Sequence, residues 1–147
     1  MISTTIDQEI KQAMLAKNQA KLRGLRAIKA ALLLARTEKG SEEVTEEGEL
    51  KILQKLIKQR RESADIYNHQ GRADLAVIEE EEIEVINHFL PKQMEKEEVA
   101  AIIAKLIADS GATSVKDMGK IMGLANKELA GKADGKLIAE IVKTQLA

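Results

Sequence analysis

One proline in 147 residues, set against apolar residues that recur three and four positions apart almost from end to end, leaves this chain little to fold into but a bundle of helices. Alternating β-branched stretches, the mark of half-buried strands, are absent throughout. The predicted class is all-α: an N-terminal four-helix unit followed by a small C-terminal three-helix bundle. The proline, Pro91 of "LPKQM", sets the division, because its ring disfavours helix at the preceding residue. Domains are therefore expected at 1–90 and 91–147.

The first helix is predicted over about 4–16, with Ile6, Ile10, Ala13 and Met14 on one face. Asn18 has the character of a cap for a second helix reaching about Lys39, whose stripe is Leu22, Leu25, Ile28, Leu32 and Ala35. "EKGSEEVTEEGE" reads as a loop. A long helix over about 46–70 carries Leu50, Leu53, Ile57 and Ala64, and Gly71 ends it. Leu75, Ile78, Glu82, Val85 and Phe89 align along a fourth helix over about 73–89, with Glu82 as the one break in that line. Past Pro91, Val99, Ile102, Ile103, Leu106 and Ile107 give an unbroken helical pattern closed by Gly111. Ser114 with Asp117 forms a variant capping box ahead of Val115, Met118, Ile121, Met122 and Ala125. A last helix starting near Asp134 buries Leu137, Ile138, Ile141, Val142 and Leu146.

Composition narrows the functions. With no cysteine, disulfides, zinc–thiolate centres and thiol nucleophiles are excluded. No apolar run exceeds the six residues of Ala30 to Ala35, far short of the roughly 20 residues that span a bilayer. "MISTTIDQEI" lacks the basic-then-apolar pattern of a secretion signal, so a cytoplasmic location and no membrane partner are expected. A net charge of −1 rules out strong attraction of the whole chain to nucleic acid, so any basic surface must be local. Tyr67 and Phe89 are the sole aromatic residues. Unpaired bases are normally held by stacking on aromatic side chains, so an RNA ligand would have to be gripped by backbone and shape.

The stretch "KDMGKIMGLANKELAGKADGK", 116–136, concentrates glycine and lysine. It is no Walker loop: position 126 is Asn, Ala133 follows Gly131-Lys132, and no strand precedes it. Gly119 and Gly123 lie four apart, on one face of a helix, and each glycine costs about 1 kcal/mol of helix propensity against alanine. Gly131 and Gly135 flank a turn, with Asp134 capping the final helix. Two readings follow. The four glycines let the three helices pack closely, or they expose backbone so that a large anionic ligand can approach between Lys116, Lys120, Lys132 and Lys136. Backbone N–H groups at a helix start favour phosphate. From Gly111 to Ala147 there are six lysines against four acids.

In this order "LRAIKAAL", "LIKQRRESADIYNHQGRADLAVIEEEEIEVINHFLPKQM", "SVKDMGKIMG" and "GKADGKLIAEIV" closely resemble the YqeY family over nearly the whole chain. That family is similar to the C-terminal tail domain of GatB, a subunit of the tRNA-dependent amidotransferase. The resemblance implies two helical subdomains and a noncatalytic module related to that tail, with tRNA as partner. By matching position the tRNA-facing residues are Lys116, Gly119, Lys120, Gly123, Gly131, Lys132, Gly135 and Lys136. The family association is with carbon–nitrogen ligase activity using glutamine as amido donor, whose chemistry resides in domains this chain lacks. Some members place Ser or Thr after the Leu-Pro segment to cap the next helix; here Met94-Glu95-Lys96 stands there.

No catalytic or metal residues and no cofactor are expected. The five serines, at 3, 41, 63, 110 and 114, sit mostly at helix starts or in loops, and no nucleophile elbow is present. His69 suits the end of a helix. Glu84 and His88 stand four apart, the spacing of a possible ligand pair and, more commonly, of a solvated helix pair. "EEEEIE", Glu79 to Glu84, points around most of a helix and cannot converge; it is expected to be solvated and to face Lys58, Arg60 or Arg61 of the preceding helix. Arg26 is expected to pair with an acid between helices. A second reading of the whole chain is a protein–protein module docking on an amidotransferase or another translation protein, without direct RNA binding.

Overall fold

A computed structural model describes residues 1–38 and 44–147. Among these, seven α-helices and one 3-10 turn form the molecule and no strand occurs, as the periodicity predicts. The middle of the loop expected at "EKGSEEVTEEGE", with Ser41, lies outside the described residues. The chain divides into two compact units, Met1–Leu90 and Pro91–Ala147.

The first unit holds α1 (Ile2–Leu15), α2 (Gln19–Glu38), α3 (Glu46–His69) and α4 (Ala73–Asn87). Local chemistry sets its boundaries. The α1–α2 turn closes with Asn18 N–H on the Ala13 carbonyl, at 3.0 Å, and Lys17 is left-handed at φ 55°. Asn18 then caps α2, its Oδ1 accepting the Lys21 N–H at 3.1 Å. Thr45 caps α3 through the Gly48 N–H at 3.0 Å, and Gly71, at φ 71°, turns the chain into α4. Beside that turn the Arg72 guanidinium holds the Asp74 carboxyl below its ordinary range, chiefly by hydrogen bonding.

Leu25, Ile28, Leu53 and Ile86 are fully buried between these helices, each burial stabilising the fold by about 1.5–3 kcal/mol. α2 packs on both α1 and α4, and α3 and α4 form an extensive hairpin. The α2–α4 approach is close because of Gly24: a Cβ there would stand 2.6 Å from the Cβ and Cγ1 of Val85.

Two polar features complete the unit. Glu49 is buried in α3, and its two carboxylate oxygens accept the N–H groups of Ile2 and Ser3 at 2.9 and 3.0 Å. It thereby satisfies two of the open donors of the first turn of α1 from 46 and 47 positions away. Glu82, the break in the apolar line, is only 16% exposed and meets Arg60 of α3 at 3.1 Å.

Three expectations for this unit change. Met14 and Ile78 are exposed, and the buried side of α4 passes instead through Ala76 and Ile86. Arg26 is exposed, and on α2 it is Arg23 that pairs with an acid of another helix, Glu81, at 2.7 Å. The acidic run is thus partly neutralised within the unit.

The second unit holds α5 (Lys96–Ser110), a 3-10 turn (Val115–Asp117), α6 (Met118–Glu128) and α7 (Gly135–Leu146). Val99, Ile103, Ile121, Leu129, Ile138 and Val142 form its core. Glu95 stands at the start of α5 without a side-chain cap bond, in keeping with the missing Ser or Thr there. Gly111, at φ 73°, ends the helix. Val115, placed on the apolar line by periodicity, is exposed, because the 3-10 turn rotates it off the face that α6 buries.

A candidate polyanion interface on the C-terminal unit

The sequence 114–136 folds as a 3-10 turn, a short helix, a tight turn and the start of α7. Ser114 accepts the Lys116 N–H at 3.3 Å, and Asp117 reaches back to the Thr113 N–H at 3.1 Å. This reciprocal cap fixes Lys116 in the 3-10 turn, directly before α6. Along α6, Ile121 and Ala125 are buried against the core, so helical spacing turns Gly119, Lys120, Gly123 and Lys127 the other way. All four are exposed, as is Lys116.

The surroundings of the glycines bear on the packing reading. A Cβ added at Gly119, Gly123 or Gly135 would have nothing within 4 Å. These three glycines therefore do not mediate helix packing, and the compaction reading fails for them. The glycine that does bring two helices together is Gly24, in the other unit.

Gly131 behaves differently. It is buried with φ 72°, a left-handed conformation that glycine adopts without strain. Its carbonyl accepts from Gln93 Nε2 at 2.6 Å, and the Lys132 carbonyl accepts the Met94 N–H at 2.9 Å. The segment after Pro91 thus holds the α6–α7 turn from behind. Lys132, Gly135 and Lys136 stay exposed on its outer side. At the start of α7 the Asp134 carboxylate accepts the Lys136 N–H at 3.3 Å, so an anion from within the chain already serves that helix terminus.

Every ion pair among the described residues lies in the first unit. Among the described residues, Lys116, Lys120, Lys127, Lys132 and Lys136 have no acid within salt-bridge distance, and Asp117 and Asp134 accept backbone N–H groups instead. Lys116 in the 3-10 turn and Lys120 and Lys127 of α6 are thus solvated ammonium groups, with the exposed Gly119, Gly123 and Leu124 among them. Lys127 is the member absent from the matched family positions; it lies seven residues beyond Lys120, two helical turns along one face.

Glu84 and His88 line a groove of about 450 Å³ in the first unit, with Glu9, Lys21 and Glu81. No group of three His, Asp or Glu there could hold a metal ion. No helix of the described residues is long and apolar enough to cross a membrane.

Comparison with known proteins bears on the whole chain. The family described as "Yqey-like protein" matches residues 3–146. The chain is also similar to "Altered inheritance of mitochondria protein 41, mitochondrial" of Clavispora lusitaniae, at 31% identity over 133 residues, 86% of this chain and 75% of that protein.

Proposed function

Because the chain belongs to the YqeY-like family, we propose that it is a noncatalytic recognition module whose C-terminal unit holds tRNA by backbone and shape, in the manner expected of a relative of the amidotransferase tail. The observation that carries this reading is the row of unpaired lysines over exposed glycines on α6 and the following turn. Ammonium groups without acid partners are free to displace counterions from phosphate, and the open glycine floor lets a bulky backbone come close. The proposed setting is translation in the cytoplasm, and the link to amidation lies in the ligand shared with the larger enzyme.

Titration of the purified chain with bulk tRNA at two salt concentrations tests the reading. The affinity should fall by about 0.7–0.9 log units per phosphate contact for each decade of salt. Lys120→Glu, Lys132→Glu and Lys136→Glu together should abolish binding, whereas Lys55→Glu on α3 should leave it unchanged. Binding that survives the triple reversal, or none at low salt, rejects the site. Release of ammonia from glutamine by the purified chain would reject the noncatalytic assignment.

A second reading, a protein-docking module, is favoured by the exposed Met14 and Leu15 at the end of α1 and by Leu33 and Leu34 on α2. Affinity capture with both RNA and protein identified separates the two, since tRNA should dominate if the first holds.

A further inference from the structure

Resting on that reading, we infer that the C-terminal unit takes a base-paired stem, tracks the phosphates of one strand along α6, and is blind to base sequence. Three observations converge. From 91 to 147 there is no arginine; every cation is a lysine. Arginine is the side chain that grips a guanine edge with two bonds and stacks on exposed bases, whereas lysine acts on phosphate as a point charge. The same stretch has no aromatic residue, since Tyr67 and Phe89 both belong to the first unit. A flexible single strand gains much of its affinity from stacking on such rings, and this unit has none to offer.

The third observation is the rail itself. At a rise of about 1.5 Å per residue, Lys120 to Lys127 spans about 10 Å along one side of α6, and Lys116 stands in the 3-10 turn directly before it. Beside them the exposed positions include Gly119 and Gly123, with open space above both, and one large side chain, Leu124. A rigid row of charges suits a ligand whose phosphates are already held in a row, which base pairing achieves and an unpaired strand does not. A membrane surface fits less well. The apolar residues exposed in this region are Val115 and Leu124, too few for the broad apolar face that an interfacial helix buries.

Fluorescence anisotropy with the full chain tests this. The probes are two hairpin stems of roughly 16 base pairs and unrelated sequence, an unpaired uridine-rich strand of equal phosphate number, bulk tRNA and anionic phospholipid vesicles. The two stems should bind within about threefold of each other, and the unpaired strand about tenfold more weakly. Stem binding should weaken with salt as expected for about three phosphates.

Gly123→Leu, which raises the floor of the rail, should weaken stem binding at least about fivefold while Lys127→Ala reduces the salt slope by about one contact. Helicity and thermal unfolding of both variants serve as the check on folding. Equal affinity for the unpaired strand, strong preference between the stems, or vesicle binding as tight as stem binding overturns the inference. If tRNA binds and neither stem does, the inference falls and the tRNA reading stands; if nothing anionic binds, both fall.

Discussion

Gly24 and Glu49 each break the apolar pattern of the helix that contains them, and each is explained by a residue far away in the chain. At Gly24 the neighbour is Val85, close enough that a Cβ would stand 2.6 Å from its Cβ. Gly24→Ala should therefore destabilise the first unit by about 1–3 kcal/mol in urea unfolding, through overpacking that outweighs the gain in helix propensity. Val85→Ala should recover part of that loss in the double variant, since it removes Cγ1 and Cγ2 from the conflict and leaves only Cβ. At Glu49 the loss is of a different kind. Glu49→Ala removes the acceptor from two backbone donors of α1 and leaves a hole, so about 2–3 kcal/mol of stability should disappear. Amide exchange at the first turn of α1 should accelerate with it. Neither role was legible in the sequence, because nothing local to position 24 or 49 announces a partner more than 40 residues off.

At the scale of the element, much could be read in advance. Asn18 and Asp134 cap as their residue types require, and Gly71 and Gly111 end helices in the left-handed conformation. These are short-range rules, and the sequence holds every atom they involve. What failed was orientation. Ile78 and Val115 fit a helical stripe yet face solvent, since the stripe buried is the one that meets a partner, and the partner is chosen by the tertiary fold. Glu82 is the converse: a charge on the apolar line, kept there by Arg60. A double-mutant cycle on Arg60→Met and Glu82→Gln should give a coupling of about 1 kcal/mol, toward the upper end for surface pairs because both side chains are largely withdrawn from water. On α6 the candidate site was legible as a cluster of residue types, but whether its glycines faced a helix or open space was not. Gly123→Ala, with nothing for the new methyl group to strike, should raise stability by about 1 kcal/mol. The opposite signs expected at Gly24 and Gly123 distinguish a glycine held by packing from one that packing leaves free.

For the whole molecule, the division at Leu90 and Pro91 suggests a dissection. The fragment 91–147, made alone, should be helical by circular dichroism and unfold cooperatively, with modest stability because so short a chain buries a limited core. Gly123→Ala should raise its midpoint, and a fragment without cooperative unfolding would show that the unit depends on the rest of the chain. The first unit has an order of assembly of its own. The opening turn of α1 is closed by a carboxylate that belongs to α3, and ribosomes deliver residues from the N-terminus at about 5–20 per second. During translation α1 must therefore wait several seconds, its leading amides still bound to water, until position 49 has left the exit tunnel and can complete it.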